Sequence, residues 1–301
     1  MRILVTGGVG LLGWRVTELL SEEGYDTYST YHVNKPPKEL PNVKWIQIDL
    51  GKLDEVSKLV SETRPDIIIH LAAYTDVDGC EINRDLAYRV NYEATKYLAK
   101  KCRGVCEYFI YVSTDYVFDG SKGLYKENDL PNPINYYGLT KLLGEVAVEN
   151  ALENYLIIRP SNIYGCGPGA KKGFALGTLE RLLARSEVKA IHDQYLSPTY
   201  FEDLAKNIVK ILETRPKGIL HLAGERVSRY KFAVEIARAL GLGEELVKPI
   251  SLDESMFRAR RPRDSSLDTS LAKSLGLFIR PLKETVKDFV ERCSGYAIQG
   301  V

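Results

Sequence analysis

Charge of one sign is what this 301-residue sequence most plainly lacks: 41 Lys and Arg stand against 40 Asp and Glu, a formal net charge of +1. No long run of like charges appears either, so bulk electrostatics give no reason to expect a nucleic-acid or membrane-surface partner. Long apolar runs are missing too, and none approaches the ~20 residues needed to cross a bilayer. Strand-forming residues start at once with Met1-Arg2-Ile3-Leu4-Val5-Thr6, and the expectation is that no signal peptide precedes the fold. Cysteine is sparse and odd in number: Cys80, Cys102, Cys106, Cys166 and Cys293 show no framework spacing. Ordinary thiols in a reducing cytoplasm are expected. The four histidines, His32, His70, His192 and His221, lie far apart, and no His or second Cys pair accompanies Cys102 and Cys106. No metal site is expected.

What the sequence does contain is alternation. Short apolar runs, Ile3–Thr6, Tyr25–Tyr31, Val43–Ile48, Ile67–Leu71, Tyr108–Ser113 and Tyr155–Arg159, predict strands. Most are continuously apolar, as in a parallel sheet covered on both faces. Between them, Leu11, Leu12, Val16, Leu19 and Leu20 form one helical stripe, and Leu53, Val56, Leu59 and Val60 another. The pattern predicts an α/β fold with a doubly wound parallel sheet. After Arg159-Pro160 the rhythm breaks. Tyr164–Gly177, with five glycines, predicts a loop, then a further strand at Ile219–Leu222 and helices over Tyr230–Leu240 and Pro281–Arg292.

Thr6-Gly7-Gly8-Val9-Gly10-Leu11-Leu12-Gly13 joins the first strand to the first helix. Glycines at this spacing permit the sharp turn, let a pyrophosphate approach at Gly10, and let the helix pack closely at Gly13. The helix N-terminus offers free N–H groups to phosphate oxygens. A dinucleotide-binding body over residues 1–160, completed by a returning segment near 200–223, is therefore expected. Residues 161–301 would mainly form a smaller C-terminal, substrate-binding cap. An NAD site wants a carboxylate at the end of the second strand. Here stand Thr30-Tyr31-His32, with Lys35 nearby, while Asp26 lies at the wrong end of the strand. NADP(H) is favoured and NAD(H) stays possible. Asp49-Leu50, closing the third strand, would flank the adenine.

Tyr137-Gly138-Leu139-Thr140-Lys141 puts a phenol and an ammonium four residues apart, on one face of a helical run to about Ala151. A neighbouring cation favours phenolate and is expected to lower the phenol pKa, suiting Tyr137 to acid–base work on a carbonyl. Tyr136, one residue earlier, is a decoy for the same role. Ser113-Thr114-Asp115 ends a buried strand upstream, where an open α/β sheet binds its ligands. The order of glycine turn, strand-end hydroxyl and Tyr/Lys helix is the order a hydride-transfer enzyme needs.

These residues resemble the extended branch of the short-chain dehydrogenase/reductases, and within it the dTDP-4-dehydrorhamnose reductases. The motifs are Ser113-Thr114-Asp115-Tyr116-Val117-Phe118-Asp119-Gly120, Ala72-Ala73-Tyr74-Thr75-Asp76-Val77-Asp78, Asp193-Gln194-Tyr195-Leu196-Ser197-Pro198-Thr199-Tyr200, and Arg261-Pro262-x-x-Ser265-x-Leu267-Asp268. The resemblance implies Thr114, Tyr137 and Lys141 as catalytic residues, Lys141 also binding the nicotinamide ribose. It implies a cofactor held by Gly7, Gly10, Leu11, Leu12 and Gly13 at the turn, and by Tyr31, His32, Asp49 and Leu50 at the adenosine end. Leu71, Ala72, Ala73, Tyr74, Asn91, Ser113, Tyr137, Pro160 and Ile163 would also bind the cofactor, the Ala72–Asp78 loop lying beside the nicotinamide and Tyr74 bordering the sugar too. Asn91 would match a structural or proton-relay asparagine. Thr75, Asp115, Tyr116, Asn162, Ser197 and Tyr200 would meet the substrate, with Arg261 facing its diphosphate. Asn91 could instead cap a helix, and Ser197 and Tyr200 could merely shape a loop.

Two departures stand out. Asn162 occupies a place where relatives often carry Trp, and Arg15 one where some carry a Glu linked to metal-dependent dimers. A homodimer pairing through Leu142, Leu143, Val146 and Ala147 remains an expectation, with intrachain core as the alternative. The implied activity is NAD(P)H-dependent reduction of the 4-keto group of a nucleotide-linked 6-deoxyhexose, dTDP-4-dehydrorhamnose to dTDP-L-rhamnose. The alternatives are a reductase or epimerase of another nucleotide sugar, or an NADP-binding regulatory subunit resembling the β subunit of methionine adenosyltransferase.

Overall fold

In the computed structural model, which describes residues 1–299, the N-terminal apolar run forms strand β1 (Arg2–Thr6). Residues 300 and 301 of the expected cap lie outside the described residues. With β1 come β2 (Asp26–Tyr31), β3 (Val43–Gln47), β4 (Ile67–His70), β5 (Tyr108–Val112), β6 (Tyr155–Arg159) and β7 (Gly218–His221). Each begins and ends within one residue of its sequence expectation. All seven pair in parallel, in the order β7-β6-β5-β4-β1-β2-β3.

Alternate side chains feed two cores. Ile3, Val5, Ile67, Ile69, Ile110 and Ile158 pack under helices α1 (Leu11–Glu22) and α5 (Phe201–Thr214). Leu4, Ile68, Phe109, Tyr111 and Ile157 pack on the other face under α2 (Leu53–Thr63), α3 (Ala94–Cys102) and the end of α4 (Tyr136–Ala151). Burial on both faces is why these strands are apolar throughout rather than alternating. Strand order reverses between β1 and β4, so their carboxyl ends open a crevice there.

Beyond β6 the chain leaves the sheet and returns for α5 and β7. The helices Phe174–Leu183, Arg229–Ala239 and Leu282–Gln299 bury Leu176, Leu179, Phe232, Ile236, Val286 and Phe289 in a core of their own. The sequence predicted loop as far as Gly177, yet the helix begins at Phe174. Ala175, Leu176, Leu179 and Leu182 make a buried stripe there, and that packing outweighs the cost of Gly177 inside the helix. No helix among the described residues is long and apolar enough to cross a membrane.

Cys166 and Cys293, expected as ordinary thiols, are joined in a disulfide, whereas Cys80, Cys102 and Cys106 are free. A separation of 127 residues hid the pair from any reading of spacing. The bond fastens the glycine-rich loop after Tyr164 to the helix Leu282–Gln299. That loop rests on the glycine turn, since a Cβ on Gly169 would lie 1.9 Å from the Val9 carbonyl oxygen. Cross-links closing long loops typically stabilise by about 2–4 kcal/mol. Cys166→Ser is therefore expected to lower the urea midpoint by a corresponding amount. Dithiothreitol should do the same to the native protein and nothing further to the variant. Equal midpoints for both proteins, with and without reductant, would show that the link adds no stability.

Candidate active site

A cleft of about 730 Å³ occupies the crevice at the carboxyl ends of the strands. Its floor is the glycine turn. Gly7 has φ +73°, and a Cβ there would lie 2.9 Å from Ala72 Cα; a Cβ on Gly13 would lie 2.1 Å from the Gly7 carbonyl oxygen. No other residue lets α1 and the loop after β4 approach so closely. Gly10 caps α1 without any side-chain bond, leaving the first-turn N–H groups to a ligand. This cradle, too tight for a Cβ, suits a pyrophosphate. Tyr31, His32, Asp49 and Leu50, expected at the adenosine, line the end of the cleft beside β2 and β3, where His32 Nε2 stands 4.0 Å from Asp49 Oδ2. Asp26 lies at the far end of β2, 3.3 Å from Arg2 Nε.

At the other end, Thr114 follows β5 and caps a single 3-10 turn, Asp115–Val117, by accepting from Tyr116 N at 3.2 Å. The Thr114 hydroxyl donates to Asp115 Oδ1 at 3.1 Å. Asp115 is buried and also accepts from Ser161 Oγ at 2.8 Å and Ser265 Oγ at 2.5 Å. Burial pushes its carboxyl up to about 6, against the pull of those three hydroxyls. Helix α4 starts where Asn135 Oδ1 accepts from Gly138 N at 2.8 Å, and it turns Tyr137 and Lys141 into the same wall.

The protonation states differ from the sequence expectation. Burial raises the Tyr137 phenol well above the usual phenol range, and hydrogen bonding with Thr114 offsets only part of this. Desolvation outweighs any nearby cation, so the resting phenol is protonated. Lys141 is buried as well, its Nζ donating to the Val112 carbonyl at 2.8 Å and lying 4.2 Å from the Tyr111 ring centroid. Burial lowers its pKa to about 7, with Glu145 pulling the other way.

A consequence for stability follows from that shift. Between pH 7 and the usual lysine range the unfolded chain binds a proton that the folded chain does not, so stability rises with pH there. Lys141→Met removes this dependence. Its stability relative to the native protein is expected to be greatest at and below pH 7, by on the order of a few kcal/mol, and to fade towards pH 10. Urea titrations of both proteins across that range check it, and a constant difference would contradict a depressed Lys141.

Most residues expected at the site do line the cleft: Gly7, Gly10, Leu11, Leu12, Gly13, Leu71, Ala72, Ala73, Tyr74, Thr75, Ser113, Thr114, Asp115, Tyr116, Tyr137, Lys141, Pro160, Asn162 and Ile163, with the adenosine-end set. Four do not. Asn91 is buried behind the wall in a π-helical turn, Tyr88–Glu93. There it accepts from Tyr74 N at 2.7 Å and donates to Tyr74 O and Thr140 Oγ1, both at 3.1 Å, clamping the Tyr74 loop to α4. Ser197 is fully buried, its Oγ accepting from Leu267 N at 3.2 Å. Tyr200 packs against Tyr164 and Phe201 in the core shared by the helices that follow β6. Arg261 is drawn off by Asp78, whose Oδ2 lies 3.0 Å from its Nη2, and its guanidinium covers Phe257. Tyr136 is absent from the cleft also; Arg84 lies over its ring at 5.0 Å.

Sequence reasoning missed Gln194, Lys171 and Arg229, which line the cleft from segments that follow β6. Gln194 falls inside a quoted motif, but nothing in spacing distinguished Arg229 from other surface arginines. Two buried polar atoms of the wall have no protein partner, Ser113 Oγ and Asn162 Nδ2. Asn162 also holds φ +42°, a left-handed conformation uncommon outside glycine. Buried orphan donors cost stability unless a ligand satisfies them, so both fit a wall built to be filled.

Residues 1–294 match the family model described as the RmlD substrate binding domain. The chain belongs to this family. By that membership it is an NAD(P)-dependent oxidoreductase of the extended short-chain dehydrogenase/reductase kind. A solved structure, dTDP-4-dehydrorhamnose reductase from Bacillus anthracis in complex with NADP, is 32% identical, with TM-score 0.83, covering 96% of this chain and 98% of that one. A probable low-salt glycan biosynthesis reductase from Haloferax volcanii is 36% identical over 274 residues, 90% of either chain. The β subunit of bovine methionine adenosyltransferase 2 is 32% identical over 298 residues, covering 95% of this chain and 86% of the subunit.

Proposed function

We propose that this protein reduces the 4-keto group of a nucleotide-linked 6-deoxyhexose, dTDP-4-dehydrorhamnose to dTDP-L-rhamnose foremost, with NADPH as favoured cofactor. One observation carries this reading: Thr114, Tyr137 and Lys141 share the wall of a cleft whose opposite end is the glycine cradle. A reduced nicotinamide, when bound, supplies the hydride. Tyr137, kept protonated by burial, gives its proton to the carbonyl oxygen, and the Thr114 hydroxyl steadies that oxygen. Lys141 stabilises the phenolate left on Tyr137. Asn91 positions Tyr74 and α4 from behind.

NADPH is favoured because the last residues of β2 offer no carboxylate to repel a 2′-phosphate, and the nearby Asp49 faces His32. The NADP-bound Bacillus anthracis relative supports this. The reading includes a cofactor-binding body, 1–160 with 200–223, a cap mainly from 161–301, and a cytoplasmic homodimer pairing through Leu143, Val146 and Ala147 of α4. Leu142 instead packs on Val117, Phe118 and Tyr125 within the chain.

A second reading, a cofactor-binding subunit serving a partner protein, is favoured by the likeness to the bovine β subunit. A spectrophotometric screen of NADPH and NADH oxidation with several nucleotide keto-sugars separates the two. Turnover with a dTDP-4-keto sugar, fastest with NADPH, supports the reductase. Cofactor binding without turnover on any of them favours the partner role.

A further inference from the structure

The basic side chains lining the cleft are His32, Lys141, Lys171 and Arg229. Three have places already. His32 sits at the end of β2 beside Asp49, and Lys141 is committed to Val112 beneath Tyr137. Lys171 rides on the loop over the glycine turn, donating to Thr75 Oγ1 at 3.3 Å. Arg229 is different. It opens the cap helix Arg229–Ala239, and its Nε donates to Gln194 Oε1 at 2.6 Å. Gln194 is fixed in turn, its Nε2 donating to the Pro262 carbonyl at 3.0 Å. The guanidinium lies over the Phe174 ring at 5.0 Å, close to the Tyr116 phenol and to Arg261. Its side-chain partners, the Gln194 amide and the Tyr116 phenol, are both neutral groups, and no carboxylate among the described residues forms an ion pair with it.

A guanidinium held half-buried in a wall, beside a second guanidinium and with no carboxylate in ion-pair contact, only the more distant Asp115 attracting it, is costly. The cost is recovered when a ligand brings the anion, and a planar fork suits paired phosphate oxygens. Its position fits the diphosphate of the nucleotide sugar. The Tyr116 ring stands 6.0 Å from the Tyr137 ring, and Arg229 lies on the cap side of Tyr116. A hexose with C4 at Tyr137 carries its anomeric oxygen across the ring, and the diphosphate follows from there towards the cap. Arg261 cannot take this part as it stands, because Asp78 already neutralises it.

We propose that Arg229, steadied by Gln194, is the residue that grips the substrate diphosphate and makes the cleft select nucleoside diphosphates. This rests on the nucleotide-sugar reading above. Calorimetric titration of dTDP, dTMP and thymidine into the native protein, Arg229→Gln, Arg229→Lys and Arg261→Ala tests it, with NADPH titration as the control for folding. For Arg229→Gln, dTDP affinity is expected to fall about tenfold to a hundredfold, as for a lost charge-assisted bond. Thymidine and NADPH should bind as before. Lys should restore part of the loss, and Arg261→Ala should cost less than Arg229→Gln. Native-like dTDP affinity in Arg229→Gln, or a larger loss in Arg261→Ala, would overturn the assignment while leaving the nucleotide-sugar reading in place. A native protein that binds NADPH but no nucleoside diphosphate would overturn that reading itself.

Discussion

Tyr137→Phe is expected to cut turnover by about 10²–10⁴-fold while leaving the NADPH dissociation constant nearly unchanged. The loss follows from removing one oxygen. The ring stays packed between Tyr116 and the cleft, so binding surfaces survive, but no proton donor remains beside Thr114. Because burial holds this phenol protonated at neutral pH, the native enzyme always has the proton to give. Tyr136→Phe is the control, for its ring faces Arg84 outside the cleft. Steady-state turnover and NADPH titration on both variants check the claim. A larger loss at Tyr136 would mean that the other tyrosine does the chemistry.

The second large effect concerns what holds α4 in place. Glu145, one turn beyond Lys141, accepts from Arg159 Nε at 2.9 Å and Nη2 at 2.6 Å, with both side chains buried. Arg159 ends β6 and lies over the Phe118 ring at 5.1 Å. Breaking such a pair strands a buried charge, which costs about 3–5 kcal/mol. Glu145→Gln should lower the urea midpoint accordingly. The double variant Glu145→Gln/Arg159→Met should recover much of it, since no orphan charge is left. An unchanged midpoint in Glu145→Gln would show that the pair does not anchor the helix.

The centre of the sheet was legible because β1, β4, β5 and β6 are buried on both faces, which leaves continuous runs such as Ile67-Ile68-Ile69 in the sequence. The glycine turn and the Tyr137/Lys141 spacing were legible because local geometry alone fixes them. What escaped depends on distant partners. Cys166 meets Cys293 across a separation of 127 residues, and Arg261 turns to Asp78 from far along the chain. Nothing local marks Arg229 as an arginine that lines the cleft without an ion pair. The charge states escaped too, because desolvation of Tyr137 and Lys141 is a property of the assembled wall rather than of their spacing.

The central claim is transfer of hydride from the cofactor to a keto-sugar in this cleft. Its most direct test is incubation of the protein with dTDP-4-dehydrorhamnose and NADPH deuterated at nicotinamide C4, followed by mass spectrometry of the sugar product. Deuterium at the hexose C4 of dTDP-L-rhamnose, absent when Tyr137→Phe replaces the native protein over the same time, is the expected result. A native protein that binds the labelled cofactor but leaves the sugar unreduced, or yields it reduced without label, would contradict it.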